Sequence, residues 1–387
     1  MTMVLSVRAR WVLVLLSALV AGAVATVAPA VAAPRGNCDH RPTERALDVL
    51  TGEHGLAGVA VEVDDPRCGR WSRARGVADL ASGRPMSAAE RLRIGSITKT
   101  FTATVVLQLA AEGQVVLDAP VERYLPGLIH GGGYDPQTIT VRDLLRHTSG
   151  LPDHVDAMDW DHVAQIRYRH YEPRELVELA LAQPPLDGGW RYSTTNYVIA
   201  GLIVKKVTGH SIGSEITRRI VRRLGLRDTY WPGDSLRILG PHSHSYFVQE
   251  HDGVPVRVDG TAWNMTFGDA GGALISSPLD MNSFFTALFS GGLLPAAQLR
   301  QMMTTVAADA ERLWPGARYG LGLIASPLEC GGWWWGHGGT VPGGHRAWEA
   351  TTIDGRHAAF ALTQVPSTQQ AENDFLDTVQ TVLCESR

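Results

Sequence analysis

The sequence predicts an α/β (α+β) chain in which strand-rich termini come together as one lobe and a helical lobe is inserted between them. Three observations predict it. Short β-rich runs gather before residue 80 and after residue 320, helical periodicity fills the middle, and no internal repeat or low-complexity linker separates the two patterns. On this reading residues 33–116 and 286–387 form the α/β lobe and residues 117–285 the helical lobe.

The first segment reads as a targeting signal. Arg8 and Arg10 precede an uncharged stretch from Trp11 to Ala33, and Ala30-Val31-Ala32 supplies the small residues that signal peptidase requires. Residues 1–32 are expected to be a signal peptide; Pro29 and the run of alanines argue against an uncleaved anchor. The mature chain is then a secreted, extracellular bacterial protein. Val59–Val63 is a β-rich run, and a polar turn from Asp64 to Gly69 leads to Trp71–Val77, the pattern of a hairpin. From Ser96, Phe101, Val105 and Leu109 recur four apart with Val106 and Ala110 beside them, and Gly113 gives a stop, which predicts a largely buried helix. Further helical patterns cover Val141–His147, Arg174–Ala182, Tyr197–Thr208 and Gly213–Leu224. Strands are expected at Gly320–Ala325, Gly332–Gly336, Ala347–Ile353 and Ala358–Val365, closed by a helix near Ala371–Leu383.

Composition narrows the function. At 387 residues, 44% hydrophobic and 19% charged, the chain can bury a sizeable core and is neither disordered nor collagen-like. The 35 basic residues balance 39 acidic ones, and the loss of Arg8 and Arg10 takes the net charge from -4 to -6. Nucleic acid is not expected as a partner, nor a membrane after signal cleavage, and the protein is expected to act as a monomer. Four cysteines in an oxidising compartment allow three pairings; Cys38 with Cys68 and Cys330 with Cys384 is favoured, its loops neither crossing nor nesting. With no CxxC pair, and with His242 and His244 in a polar loop as the nearest approach to a ligand spacing, no metal and no cofactor are expected.

The chemistry lies elsewhere. Only three lysines occur, Lys99, Lys205 and Lys206, so Ser-x-x-Lys should arise by chance about 0.16 times, yet it stands at Ser96 and Lys99, at the mouth of the buried helix behind Gly95. Three residues apart on a helix, the two side chains share a face. Lysine there can take the hydroxyl proton, and the unpaired N–H groups of a helix start suit an oxyanion.

Five more blocks follow in order: His147-Thr148-Ser149-Gly150-Leu151, Tyr192-Ser193, Ala270-Gly271-Gly272, Tyr319-Gly320-Leu321-Gly322 and Gly336-His337-Gly338-Gly339-Thr340. Together with Arg93–Ala103 the chain resembles the beta-lactamase-related serine hydrolases, the SxxK penicillin-recognising enzymes, from about Arg45 to Cys384. Within them it is most similar to secreted D-alanyl-D-alanine carboxypeptidases, with class C beta-lactamases more distant. The resemblance implies a beta-lactamase/transpeptidase-like fold, an antiparallel sheet flanked by helices with the helical lobe inserted. It implies Ser96 as the acylated nucleophile, Lys99 as its proton partner and Tyr192 as the phenol that relays the proton. It also implies an oxyanion hole from the N–H groups of Ser96 and Thr340, with His337, Gly338, Gly339 and Thr340 beside the substrate. His337 stands where many relatives carry lysine, so a histidine charge for a substrate carboxylate is expected, with Arg346 as the competing cation. Trp333–Trp335 reads as strand and core, with one of the three a candidate for the cleft.

One departure stands out. Thr194 occupies the position where the family usually has the Asn of Tyr-x-Asn, and a hydroxyl offers one donor where an amide offers two and an acceptor. Asn196, two residues on, points elsewhere. Thr194 is therefore the substrate-binding position where peptide anchoring is weakened. The function expected is D-alanyl-D-alanine carboxypeptidase action on peptidoglycan-type peptides. The alternatives are an esterase or beta-lactamase on the same fold, taking an ester or beta-lactam, and a penicillin-binding sensor module that acylates without turnover.

Overall fold

The computed structural model describes residues 38–251 and 253–385, so the expected signal peptide lies outside the described residues. Helix α1 (Arg41–Gly52) has proline in its first turn, where a missing N–H costs no hydrogen bond. Strands β1 (Gly58–Asp65) and β2 (Gly69–Asp79) make the expected hairpin, followed by the two-residue strands β3 (Arg84–Pro85) and β4 (Leu92–Arg93). A 3-10 turn, Gly95–Ile97, runs into α2 (Thr98–Ala111). The middle of the chain carries α3 (Val141–Arg146), α4 (Val163–Ile166), α5 (Pro173–Leu181), α6 (Thr194–Thr208), α7 (Ile212–Ile216) and, after a π-helical turn, α8 (Arg222–Leu224). Hairpin β5 (Tyr246–His251) and β6 (Val254–Asp259) precedes α9 (Asp269–Gly272), β7 (Ile275–Ser276), α10 (Pro278–Phe289) and α11 (Ala296–Met302). The chain ends on β8 (Val306–Ala307), β9 (Arg318–Tyr319), β10 (Ile324–Pro327), β11 (Trp333–Thr340), β12 (Arg346–Thr352), β13 (His357–Leu362) and α12 (Gln369–Cys384).

Nine strands form one antiparallel sheet in the order β3-β2-β1-β13-β12-β11-β10-β9-β8. The two ends of the chain meet where β1 pairs with β13, Val61 opposite Phe360. Alternation along the strands sends Val59, Val61, Trp348, Phe360 and Leu362 to one face, where they pack with Leu47 and Leu50 of α1 and with Phe375, Val379 and Leu383 of α12. Ala60, Ala347, Ala359 and Ala361 face the other way, into a core shared with Phe101 of α2 and with Phe284 and Phe285 of α10. Phe101 stacks on Phe284 with ring centroids 3.7 Å apart. Helix α2 is buried from Thr98 to Leu109, which is why it shows no solvent-facing polar stripe; its buried threonines Thr100, Thr102 and Thr104 donate to Gly322 O, Ala270 O and Thr100 O. Each buried Val, Leu or Phe there contributes about 1.5–3 kcal/mol.

The structure departs from the expected elements in five places. The boundary set at 285/286 falls inside α10, which packs on β1 and β13, so this helix belongs to the sheet layer from residue 278 onward. The run Gly320–Ala325 is the turn between β9 and β10, in which Gly320 N–H donates to Leu323 O at 2.8 Å, and the start of β10, and β11 extends beyond Gly336 to Thr340. Hairpin β5–β6 lies within the stretch read as helical, and α1 within one that was not assigned. Disulfides join Cys38 to Cys68 and Cys330 to Cys384. The first ties the entry to α1 to the β1–β2 turn, the second the end of α12 to the β10–β11 turn, each stabilising by roughly 4 kcal/mol on the chain-entropy account. Among the described residues no helix is long and apolar enough to cross a membrane.

Candidate active site

Ser96 lies in the 3-10 turn that starts α2, and Lys99 one turn on is fully buried. Lys99 Nζ donates to Ser96 Oγ at 3.0 Å and to Gly271 O, at the end of α9, at 2.9 Å. The Ala270-Gly271-Gly272 block is small for a reason. A Cβ on Gly271 would stand 2.7 Å from Thr194 Cγ2 and 3.3 Å from Lys99 Nζ. Strand β11 meets the Ser96 turn backbone to backbone. Gly95 has φ +50°, and a Cβ on it would lie 2.8 Å from Thr340 O and 2.9 Å from Thr340 N. A Cβ on Gly339 would lie 1.8 Å from Ile94 O and 3.1 Å from Ser96 N. The backbones of the Ser96 turn and of β11 at Gly339 and Thr340 thus approach too closely for a side chain between them, and Ser96 and Thr340 both line the cleft.

Tyr192 is fixed by a buried polar lattice just before α6. Helix α3 is capped by a Thr140–Asp143 box and ends on His147 in the left-handed region, φ 63°. His147 Nδ1 accepts from Ser193 N–H at 3.1 Å and lies 3.2 Å from Asn196 Nδ2, so its proton sits on Nε2, which is buried without a partner. Burial, and then the nearby charge of Lys99, hold this imidazole well below its usual pKa, and it is neutral. Its ring packs 4.4 Å from that of Tyr192. Ser193 Oγ donates to Pro152 O at 2.9 Å, and Ser149 Oγ donates to Asn196 Oδ1 at 2.6 Å. The Tyr192 ring centroid lies 4.8 Å from Lys99 Nζ and 5.0 Å from Arg312 Cζ.

Thr194 reaches the cleft and is 8% exposed, but its hydroxyl is engaged: it donates to Asp153 Oδ2 at 3.0 Å, beside the Thr194 N–H at 2.9 Å. Asn196 is fully buried in the lattice behind Tyr192 and does not line the cleft.

The third block is where expectation and structure part. His337 is buried on β11; Nδ1–H donates to Gly338 O at 2.6 Å, and Nε2 accepts from Tyr319 O–H at 2.9 Å. Burial, then the charge of Lys99, depress its pKa to about 3, so the histidine cation expected for a substrate carboxylate does not form near neutral pH. Arg346 is not a free cation either. It pairs with Glu372 of α12 and donates from Nη1 to Thr340 Oγ1 at 2.5 Å. Gly338 lets Trp348 approach: a Cβ there would lie 2.4 Å from the indole. Trp333 points to solvent, 41% exposed, Trp334 packs against α12, and neither they nor Trp335 line the cleft; Trp314 and Trp348 do.

These groups surround a cavity of about 690 Å³ that also takes in Asp153, Asp156, Phe267 and Arg312. Asp153 and Arg312 escaped the sequence reading. The first stands 41 residues from the threonine it serves, and the second lies in a loop without periodicity. His242 and His244 stack on one another away from the cleft, His244 Nδ1 lying 2.7 Å from Asp259 Oδ2.

Residues 41–381 match the family described as Beta-lactamase. Among curated proteins, the chain is 31% identical over 204 residues to esterase EstB of Burkholderia gladioli, covering 48% of each. It is 30% identical over 209 residues to penicillin-binding protein 4 of Amycolatopsis lactamdurans, covering 53% of each. The chain spans about half the length of these curated relatives. Two solved structures align more fully. A D-stereospecific amidohydrolase from Streptomyces sp. superposes with a TM-score of 0.80 at 35% identity, over 89% of this chain and 99% of that one. The D-amino acid amidase of Ochrobactrum anthropi SV3, complexed with L-phenylalanine, superposes at 0.77 with 25% identity, over 89% and 99%. With the family match spanning nearly every described residue and a buried lysine set against the serine at the mouth of α2, the chain belongs to the beta-lactamase/transpeptidase-like family.

Proposed function

We propose that the protein hydrolyses amide bonds that follow a D-amino acid, through an acyl-enzyme on Ser96, acting as a D-alanyl-D-alanine carboxypeptidase on cell-wall-type peptides outside the cell. The observation that carries this reading is the Ser96–Lys99 contact of 3.0 Å with the Ser96 and Thr340 N–H groups beside it. Among the described residues Lys99 is the one titratable group hydrogen-bonded to Ser96 Oγ. The Streptomyces relative, named for D-stereospecific amide hydrolysis, aligns over almost its whole length.

The steps follow from position. With Lys99 in its neutral form, Ser96 Oγ attacks the amide carbonyl carbon as its proton passes to the Lys99 amine, and the new oxyanion rests between the two backbone N–H groups. Tyr192 delivers a proton to the departing amine, the C–N bond breaks, and the acyl group remains on Ser96. Water then attacks the ester, giving its proton back through the same groups. The substrate backbone lies along Gly338, Gly339 and Thr340 at the edge of β11, with Thr194 across the cleft. No cofactor or metal takes part in this scheme.

The test is turnover of an acyl-D-Ala-D-Ala peptide beside its L,L isomer, with mass spectrometry after penicillin or fluorophosphonate treatment. Steady release after the burst, preference for the D isomer and an adduct on Ser96 are expected. An adduct on another serine, undiminished hydrolysis by Ser96→Ala, or a burst without turnover overturns the reading, the last pointing to a penicillin-binding module.

A second reading, an esterase, has a specific observation behind it. The Thr194 hydroxyl is already given to Asp153, so this side chain has no donor left for a peptide amide. Thr194→Asn should then improve kcat/KM for the peptide by about 1–2 kcal/mol of transition-state binding and change ester hydrolysis less.

A further inference from the structure

The cleft holds few positive charges, and most are spoken for. Lys99 is taken up by Ser96 and Gly271 O, and Arg346 by Glu372 and Thr340. His337 is neutral, its Nε2 accepting from Tyr319. Arg312 is different. It lines the cleft, is exposed, and has no carboxylate within ion-pair distance among the described residues. Its loop is nonetheless held at both ends. Asp309 accepts from Arg191 Nη1 at 3.1 Å, Leu313 N–H donates to Asp309 O at 3.0 Å, and Trp314 Nε1 donates to Ser326 Oγ at 2.9 Å.

We infer that Arg312 is the specificity-determining residue that binds the terminal carboxylate of the leaving D-residue, the task assigned by sequence to the third block. The inference rests on the proposed peptide hydrolysis. Its argument is positional. In that reaction Tyr192 gives its proton to the leaving nitrogen, and in a C-terminal amino acid the carboxylate carbon is two covalent bonds from that nitrogen. A cation that reads the carboxylate must therefore sit beside Tyr192, and Arg312 Cζ lies 5.0 Å from that ring. A guanidinium fork can meet both carboxylate oxygens at once. Asp156, whose carboxyl feels the charge of Arg312, and Glu311 are exposed in the same cleft, so a substrate carboxylate must outcompete Asp156 for the guanidinium. Asp153 lines the cleft on the side of Thr194, where its carboxylate accepts from the Thr194 hydroxyl and N–H and from the Val155 N–H.

The experiment compares acyl-D-Ala-D-Ala with its C-terminal amide in wild type, Arg312→Gln and Arg312→Lys. Arg312→Gln should raise KM for the acid about tenfold to hundredfold, the span of a lost charged hydrogen bond, and leave KM for the amide within about twofold. Arg312→Lys should fall between, keeping the charge and losing the fork. Equal effects on acid and amide, or a loss confined to kcat, would mean that Arg312 merely positions Tyr192, and would overturn the inference while the amidase reading stands. If wild type turns over neither peptide, that reading fails, and acylation by benzylpenicillin against its methyl ester tests the contact alone. Arg312→Gln should then slow the acid and spare the ester, and equal slowing overturns the inference.

Discussion

Replacing His337 by glutamine separates a charge from a scaffold. An ordinary histidine of pKa about 6.5 passes from roughly three-quarters charged at pH 6 to a few per cent at pH 8, so a carboxylate anchor built on it would lose about 25-fold in binding over that window. His337, with its pKa pressed to about 3 by burial and Lys99, is neutral throughout. A bound carboxylate would have to lift that value by more than three units, about 4–5 kcal/mol, while the Tyr319 hydroxyl that now donates to Nε2 turned round. The expected result is that KM for acyl-D-Ala-D-Ala is flat from pH 6 to 8 at constant ionic strength, in wild type and in His337→Gln alike. Glutamine can still accept from Tyr319, so the variant should lose at most about tenfold in kcat/KM, through displaced packing. A KM that climbs tenfold or more in wild type and stays level in His337→Gln would refute the neutral assignment and restore the cation to the third block.

Three other outcomes are expected. Gly339→Ala places a methyl group 1.8 Å from Ile94 O, so β11 must draw back from the Ser96 turn; kcat should fall about 10²–10³-fold, as when one oxyanion donor is lost, and a wild-type kcat would show the gap has slack. Glu62, 7% exposed, has its carboxyl pushed up to about 7, chiefly by burial, with Arg70 opposing. Raised above its unfolded value, it favours the fold fully below about pH 4.5, and that contribution is lost as pH rises through about 7. Glu62→Gln should therefore gain about 3 kcal/mol on wild type between pH 4.5 and 8, seen by urea unfolding, and parallel curves would refute the shift. Removing the Cys330–Cys384 bridge by a double serine substitution should cost about 2–5 kcal/mol, and peptide mapping that finds either thiol free in the native protein would contradict the pairing.

What could be read from the sequence was what depends on short spacing. Ser96 and Lys99 are one helical turn apart and lysine is rare in this chain, so their partnership showed without a fold. The buried α2 and the pairing of the terminal strands into one lobe showed through periodicity. Hairpin β5–β6 has a signal in the sequence, Asp252-Gly253 between Tyr246-Phe247-Val248 and Val254-Pro255-Val256. The state of His337 has none: its charge is set by burial and by Lys99, on a distant helix, and its Nε2 is taken by Tyr319 on another strand. The same holds for Asp153 against Thr194 and for Glu372 against Arg346, whose partners are chosen by packing between distant segments.

The distance along the chain between Ser96 and its opposite wall has a consequence for the order of assembly. The serine and lysine are made early, but Thr340 is added 244 residues after Ser96, and Arg346, which steadies the Thr340 hydroxyl, is paired only when Glu372 of the last helix is in place. On the proposed mechanism, a growing chain that has reached α11 carries Ser96 and Lys99 without Thr340 or the β11 backbone that would hold a substrate. On the same reading, the site is incomplete until Glu372 has been made, and a chain truncated before Gln369 would keep Ser96 and lose the carboxylate that pairs with Arg346.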